Sequence, residues 1–191
     1  AHDLVLTLAH ERAALHLRDD LPAVGLRLHA PSRPPEDRPQ HVAAYLRETI
    51  PGGARVPHDI PQLTASLHEL AWLDSAYPRL AREPFLLIHP GSGGSHKNWI
   101  PERFAYIANR SKSHLGLGVV LLAGPAEAKL LSEVESHLDD PSVQVVQDVS
   151  LEKVAALLTR ARFYLGNDSG ISHLAGCLGT RGVVLFGPTS A

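Results

Sequence analysis

The chain is poor in several residue types, and each scarcity excludes a class of protein. One cysteine, Cys177, in 191 residues excludes an internal disulfide and a cysteine-rich metal site, and it fits a reducing cytosol. No apolar run approaches the roughly 20 residues of a transmembrane helix. The net charge of −2 gives no electrostatic basis for binding nucleic acid. What remains is a globular protein with a normal hydrophobic content of 44%.

Two further scarcities shape the expectations. Methionine is absent altogether, and the chain stops directly after a strand-like run that ends at Phe186, so we expect it to be a piece of a longer protein. Lysine is rare, since four of the 18 basic residues are lysines. A lysine inside a glycine-rich loop, such as Lys97, is therefore less expected by chance and indicates a functional loop.

The first 80 residues have a mixed pattern. In chain order we predict a strand at 3–8, a helix at 11–17, a short strand at 24–26, a proline-rich link at 31–39 and a helix at 41–50. Trp72 and Tyr77 are expected to pack between two lobes.

From Phe85 onward the pattern becomes regular. We predict strands at 85–88, 119–122, 143–146, 163–165 and 183–186, with helices at about 101–112 and 126–138, after Ser150, and after Asp168. Strict alternation of strands and helices predicts an α/β fold, a parallel sheet with helices on both faces. In such folds ligands bind at the carboxyl ends of the strands, where both glycine-bearing loops of this chain lie.

The later of these two loops in the chain, Gly166–His173, has the pattern of a strand, a tight turn and a helix. Asp168 or Ser169 is a suitable N-cap, and Gly170 lets a ligand approach the backbone. The free N–H groups of a helix's first turn attract phosphate, and the ring of His173 can lean toward the same opening. The alternative is an ordinary capped helix with a surface histidine.

The other loop, His89–Trp99, combines glycines, two hydroxyl groups and Lys97. These groups suit a pyrophosphate, although the loop departs from a P-loop because Asn98 follows the lysine where Ser or Thr would bind magnesium. The alternative is a flexible solvent loop. No G-x-G-x-x-G fingerprint, Asp-x-Asp pair, H-E-x-x-H helix or G-x-S-x-G elbow occurs. Glu127, just past a strand, suits either a ribose diol or the N-terminus of a helix.

These residues resemble glycosyltransferase family 9, the ADP-heptose:lipopolysaccharide heptosyltransferases. The resemblance covers about residues 84 to 191 well and the first 80 residues loosely. Its blocks are His89-Pro90-Gly91 leading to Lys97-x-Trp99 and Phe104, then Gly124 to Glu127, then Gly166 to Gly170 with His173-Leu174-Ala175, and finally 178–180 and 185–189.

The resemblance implies a GT-B architecture of two Rossmann-like lobes. Residues 84–191 would be the carboxyl-terminal, nucleotide-sugar-binding lobe, truncated at its end, and residues 1–80 a remnant of the acceptor-binding lobe and linker. It implies that Ser92 and Lys97 contact the diphosphate, that Glu127 holds the ribose, and that the phosphates lie at the helix start formed by Asp168, Ser169, Gly170 and His173.

The resemblance also implies an inverting transfer of heptose from ADP-heptose to a lipopolysaccharide or similar glycan acceptor. The reaction would need no metal or other cofactor. It would take place in the cytoplasm at the inner face of the bacterial inner membrane, and the enzyme would make peripheral contact with that membrane. No residue here matches the family's catalytic aspartate, so the general base is unassigned. The alternatives are a nucleotide-sugar epimerase of GT-B type, a nucleotide-binding module without catalysis and, least favoured, a Ser/His hydrolase.

Overall fold

The structure is a computed structural model that describes residues 4–8, 26–30, 40, 44, 45, 48 and 62–187. The chain divides into two compact units, residues 1–59 and 60–191. In the first unit, β1 (Leu4–Leu8) pairs in parallel with β2 (Leu26–Ala30). The strand predicted at 3–8 is thus confirmed, and of the strand predicted at 24–26 only Leu26 lies within the described residues, where it begins β2. Residues 44, 45 and 48 are helical, as predicted, and the segments at 11–17 and 31–39 lie outside the described residues.

The second unit contains a five-stranded parallel sheet of order β5-β4-β3-β6-β7. This confirms the predicted α/β fold with a parallel sheet. Its strands are β3 (Phe85–His89), β4 (Gly118–Ala123), β5 (Gln144–Gln147), β6 (Phe163–Asn167) and β7 (Gly182–Leu185), and its helices are α1 (Leu67–Ala76), α2 (Pro101–Leu115), α3 (Ala128–Glu135), α4 (Leu151–Arg160) and α5 (Gly170–Cys177).

Helices cover both faces of the sheet, because alternate residues of each strand point to opposite sides. On β3, Phe85 and Leu87 pack into one core with α1, α4 and α5. Leu86 and Ile88 pack into the other core with α2 and α3. Every residue of β3 is therefore buried, as expected for the central strand of a parallel sheet.

The helix α1 was not predicted, although its start carries a recognisable signal. Ser66 is the N-cap and accepts a hydrogen bond from the Glu69 N–H, while its hydroxyl also contacts the Glu69 carboxylate. Leu73 on α1 is fully buried in the first core, and Trp72 packs edge-on against Tyr77 with ring centroids 5.7 Å apart. The structure thus places α1 in the second unit.

The order in which strands are added to the sheet reverses between β3 and β6, although all strands remain parallel. From β3 the chain proceeds through β4 to β5 on one side, and then crosses back to β6 and β7 on the other. The last residue of β3, His89, is in register with Gly166 of β6. Chains that diverge from such a switch point leave a crevice at the carboxyl ends of the strands, which is where ligands bind in open α/β sheets.

Candidate functional site

The loop after β6 leads directly into α5 through a capped turn. Ser169 is the N-cap, and its Oγ accepts a hydrogen bond from the Ser172 N–H at 3.3 Å. Ser169 and Ser172 are both buried. Of the two N-caps considered from the sequence, the structure therefore selects Ser169, and the backbone N–H groups of the first turn of α5 lie at the crevice.

A network of buried hydroxyl groups holds this turn in place. The Tyr164 hydroxyl lies 2.9 Å from Ser172 Oγ, and Ser172 Oγ donates to the backbone oxygen of Asn167 at 2.5 Å. Burial raises the pKa of Tyr164, so its hydroxyl keeps its proton and remains available for this bonding. The start of α5 is thus held by side chains as well as by the helix itself.

The loop after β3 is shaped by its own polar groups. Residues Ser95–Lys97 form a short 3₁₀ turn. Ser92 Oγ lies 2.7 Å from the Gly94 oxygen and 2.7 Å from Asn98 Oδ1. The hydroxyl that we expected to contact a diphosphate therefore also organises the loop that carries Lys97.

The two loops meet through an ion pair. Lys97 Nζ lies 2.8 Å from Asp168 Oδ2, and the two side chains are 24% and 18% exposed. His173 Nε2 approaches the other oxygen of the same carboxylate at 3.9 Å. Lys97 thus lies next to the start of α5. A carboxylate has no donor to offer a phosphate, and that of Asp168 contacts the side chains of Lys97 and His173 instead.

A second connection between the loops comes from Asn167, which is fully buried. Its Nδ2 donates to the Pro90 oxygen at 2.6 Å, and its Oδ1 accepts from the Trp99 N–H at 3.2 Å. The side chain of the last residue of β6 thus holds both ends of the loop after β3. Asn167 was not among the site residues predicted from the sequence; the available signal was an asparagine at the end of an apolar strand.

A cavity of about 650 Å³ opens at this end of the sheet. Four of the predicted site residues line it: Ser92, Glu127, Ser169 and Gly170. The other three, Lys97, Asp168 and His173, form the ion-paired cluster and are not part of the lining. The remaining lining residues are His89, Gly93, Leu122, Ala123, Gly124, Val149, Leu151, Glu152, Val154, Ala155, Ile171 and Leu174.

Of the two roles left open for Glu127, the structure shows the one at a turn. Glu127 ends a 3₁₀ turn, Pro125–Glu127, and its Oε2 accepts a hydrogen bond from the Gly124 N–H at 2.7 Å. The side chain also lies over Gly91, where a Cβ atom would be 2.5 Å from Glu127 Cγ. A larger residue at position 91 would therefore displace the Glu127 side chain, which lines the cavity.

The sequence analysis also did not assign His89 to the site. This residue ends β3, is 5% exposed and lines the cavity. Its Nδ1 is buried without a hydrogen-bond partner. Burial lowers the pKa of His89, an effect that the negative charge of Glu127 partly offsets. The imidazole is therefore neutral in the unliganded protein at pH 7.

The lining of the cavity has two chemical characters. Part of the lining consists of hydroxyl residues and glycines whose backbone N–H groups suit an anion: Ser92, Gly93, Ser169 and Gly170. Another part consists of aliphatic side chains that suit a flat apolar ring: Leu122, Val149, Val154, Ile171 and Leu174. Such a cavity matches an elongated ligand that carries an aromatic group and a phosphate.

Within the described part of the chain, no three His, Cys, Asp or Glu side chains cluster as metal ligands would. No helix within the same residues is long and apolar enough to cross a membrane.

Comparison with known sequences identifies relatives of one kind. The model of glycosyltransferase family 9 (heptosyltransferase) matches residues 39–191. Lipopolysaccharide heptosyltransferase 2 of Salmonella typhimurium is 26% identical over 77% of this chain and 44% of its own length. Lipooligosaccharide heptosyltransferase 2 of Campylobacter jejuni is 33% identical over 53% of this chain and 33% of its own length. The chain thus spans less than half the length of these relatives.

Solved structures show the same fold at low identity. E. coli ADP-heptose lps heptosyltransferase II superposes with a TM-score of 0.76 and 20% identity, covering 99% of this chain and 63% of that one. E. coli heptosyltransferase WaaC, solved with ADP, gives a TM-score of 0.65 and 19% identity over 99% and 63% of the two chains. These likenesses confirm the Rossmann-like lobe of a GT-B architecture. Because the family model matches most of its residues, the chain belongs to glycosyltransferase family 9.

Proposed function

We propose that this chain contributes the nucleotide-sugar-binding lobe of a heptosyltransferase. The reaction moves a heptose from ADP-heptose to a lipopolysaccharide core or similar glycan acceptor, with inversion at the anomeric carbon and without a metal or other cofactor. The observation that carries the proposal is the cavity at the switch point, whose lining combines hydroxyls and glycines with aliphatic side chains. The names of the relatives supply the sugar and the acceptor, and the ADP bound to WaaC supplies the base.

In this proposal the diphosphate lies against Ser92 and the start of α5, and Glu127 binds the ribose. Negative charge grows on the departing diphosphate as the sugar bond breaks. Lys97 is placed to stabilise that charge, because Asp168 holds its ammonium group at the mouth of the loop. The acceptor hydroxyl needs a general base, and no residue of this chain is assigned to it. The enzyme would act in the cytoplasm, at the inner face of the membrane that carries its lipid acceptor.

The direct test is nucleotide binding by this chain. We expect ADP to bind more tightly than UDP or GDP in calorimetric titrations, because the aliphatic part of the lining would enclose adenine. At equal concentration, the nucleotide that binds more tightly should raise the melting temperature more, because stabilisation grows with the logarithm of the ligand concentration over the dissociation constant. Equal, weak responses to all three nucleotides would contradict the proposal.

Product analysis separates the chemical alternatives in the full-length protein. With ADP-heptose, a heptosyltransferase consumes the donor only when a glycan acceptor is present. An epimerase alters the donor without an acceptor, and a binding module leaves it unchanged under both conditions. Appearance of an isomerised sugar nucleotide without acceptor would replace the proposed reaction with epimerisation.

A further inference from the structure

His89 stands at the centre of the crevice. It is the last residue of β3, which lies between β4 and β6 in the sheet. The segment after β4 carries Glu127 on one side of it, and the segment after β6 carries Ser169 on the other. His89 is thus located between the proposed ribose-binding and phosphate-binding groups.

His89 differs from the other polar residues that are buried as a whole in the described part of the chain. The side chains of Ser111, Asn167, Ser169 and Ser172 all form hydrogen bonds, whereas that of His89 forms none. A buried polar group without a partner destabilises the folded protein. An apolar side chain at this position would avoid that cost, so packing alone does not account for histidine.

The surroundings of the ring favour one tautomer. A buried N–H without an acceptor is less well tolerated than a buried lone pair without a donor. Since Nδ1 is the enclosed nitrogen, the proton is better placed on Nε2. The neutral ring then presents an N–H donor at the cavity, which suits an anionic oxygen.

We propose that His89 is a substrate-binding residue whose Nε2–H donates a hydrogen bond to the phosphate adjacent to the ribose of the bound nucleotide. This inference rests on the proposed nucleotide site and deepens it. The position of His89 between Glu127 and Ser169 selects that phosphate, because it is the group that links the ribose to the rest of the diphosphate. The bound nucleotide thus supplies the hydrogen bond that the protein does not.

The test compares adenosine, AMP and ADP in calorimetric titrations of the wild type, His89→Leu and His89→Gln. His89→Leu should weaken AMP and ADP binding about tenfold and leave adenosine unchanged, because only the phosphate contact is lost. His89→Gln keeps an N–H donor at similar reach and should bind AMP within about threefold of the wild type. Without ligand, His89→Leu should melt at the wild-type temperature or above.

His137→Leu is the matched control, since His137 is a half-exposed histidine that lies 3.7 Å from Glu102. It should leave all three affinities unchanged. Equal AMP affinity in His89→Leu and wild type would overturn the inference while the nucleotide site stands. A parallel loss of adenosine binding, or a lower melting temperature of His89→Leu, would show a packing role instead. If the wild type bound none of the three ligands, the proposed function would fail and this inference with it.

Discussion

Asn167 and His89 are buried polar side chains at the carboxyl ends of neighbouring strands, and their surroundings are opposite. Asn167 uses both ends of its amide, one on the Pro90 oxygen and one on the Trp99 N–H. His89 has no hydrogen bond and borders the cavity. The two residues therefore have different roles, which the sequence alone does not distinguish. Asn167 holds the two loops together, and His89 is proposed to bind a ligand.

Removing the holding residue should have the largest effect on folding. Asn167→Ala leaves a buried carbonyl and an N–H without partners, so we expect the free energy of unfolding to fall by about 3 kcal/mol in urea titrations. Asn109→Ala is the matched control, because Asn109 bonds a backbone oxygen and a backbone N–H in the same way at the surface. An equal decrease in the free energy of unfolding in the two variants would show that Asn167 is no more important for the fold than a surface asparagine.

Lys97 combines both kinds of contact, because it is ion-paired with Asp168 and is also proposed to stabilise the departing diphosphate. Lys97→Ala should lower turnover of the full-length enzyme by about 100-fold or more, because charge on the departing diphosphate loses its stabiliser. The exposed Lys129, 3.8 Å from Glu133, serves as the control. Unchanged turnover in Lys97→Ala would remove this role.

Two glycines of α5 test whether the ligand lies at the helix start. A Cβ at either Gly170 or Gly176 would meet no atom of the protein within 4 Å, so both alanine variants should fold. Gly170 lines the cavity, and a methyl group there should weaken ADP binding about tenfold. Gly176→Ala should bind normally. A similar affinity in both variants would move the ligand away from α5.

The smallest expected effect is a pH dependence of stability. The pKa of His89 in the folded protein lies below its ordinary value of 6.5, so below pH 6.5 the unfolded chain binds more protons at this position. The free energy of unfolding should therefore fall as the pH drops through 6.5. Urea titrations at pH 7.5 and 5.5 should show a larger decrease for the wild type than for His89→Leu, and equal decreases would contradict a buried neutral imidazole.

Much of the fold of the second unit could be predicted from the sequence. Its strands are apolar runs and its longer helices carry apolar stripes, so all five strands were found, and α2, α3, α4 and α5 as well. The helix α1 was missed because its interior has no clear apolar stripe, although a serine followed three residues later by a glutamate, Ser66 and Glu69, marked its start.

The site was predictable only in part. Glycines, hydroxyls and a lysine after strands indicated the two loops, which meet through Lys97 and Asp168. The link made by Asn167 spans 77 residues to Pro90, and no local pattern encodes such a pairing. The missing partner of His89 is a property of the folded interior. Roles of the predicted residues in binding, and the assignment of residues 1–80 to an acceptor-binding lobe and linker, stay predictions.

The central claim is that the cavity between these loops holds the diphosphate of a nucleotide sugar, and a crystal structure of the protein with ADP tests it most directly. The account predicts adenine against Leu122 and Val149, phosphate oxygens at the N–H groups that begin α5, and the phosphate next to the ribose within hydrogen-bond distance of His89. ADP bound elsewhere, with this cavity filled only by water, would contradict it.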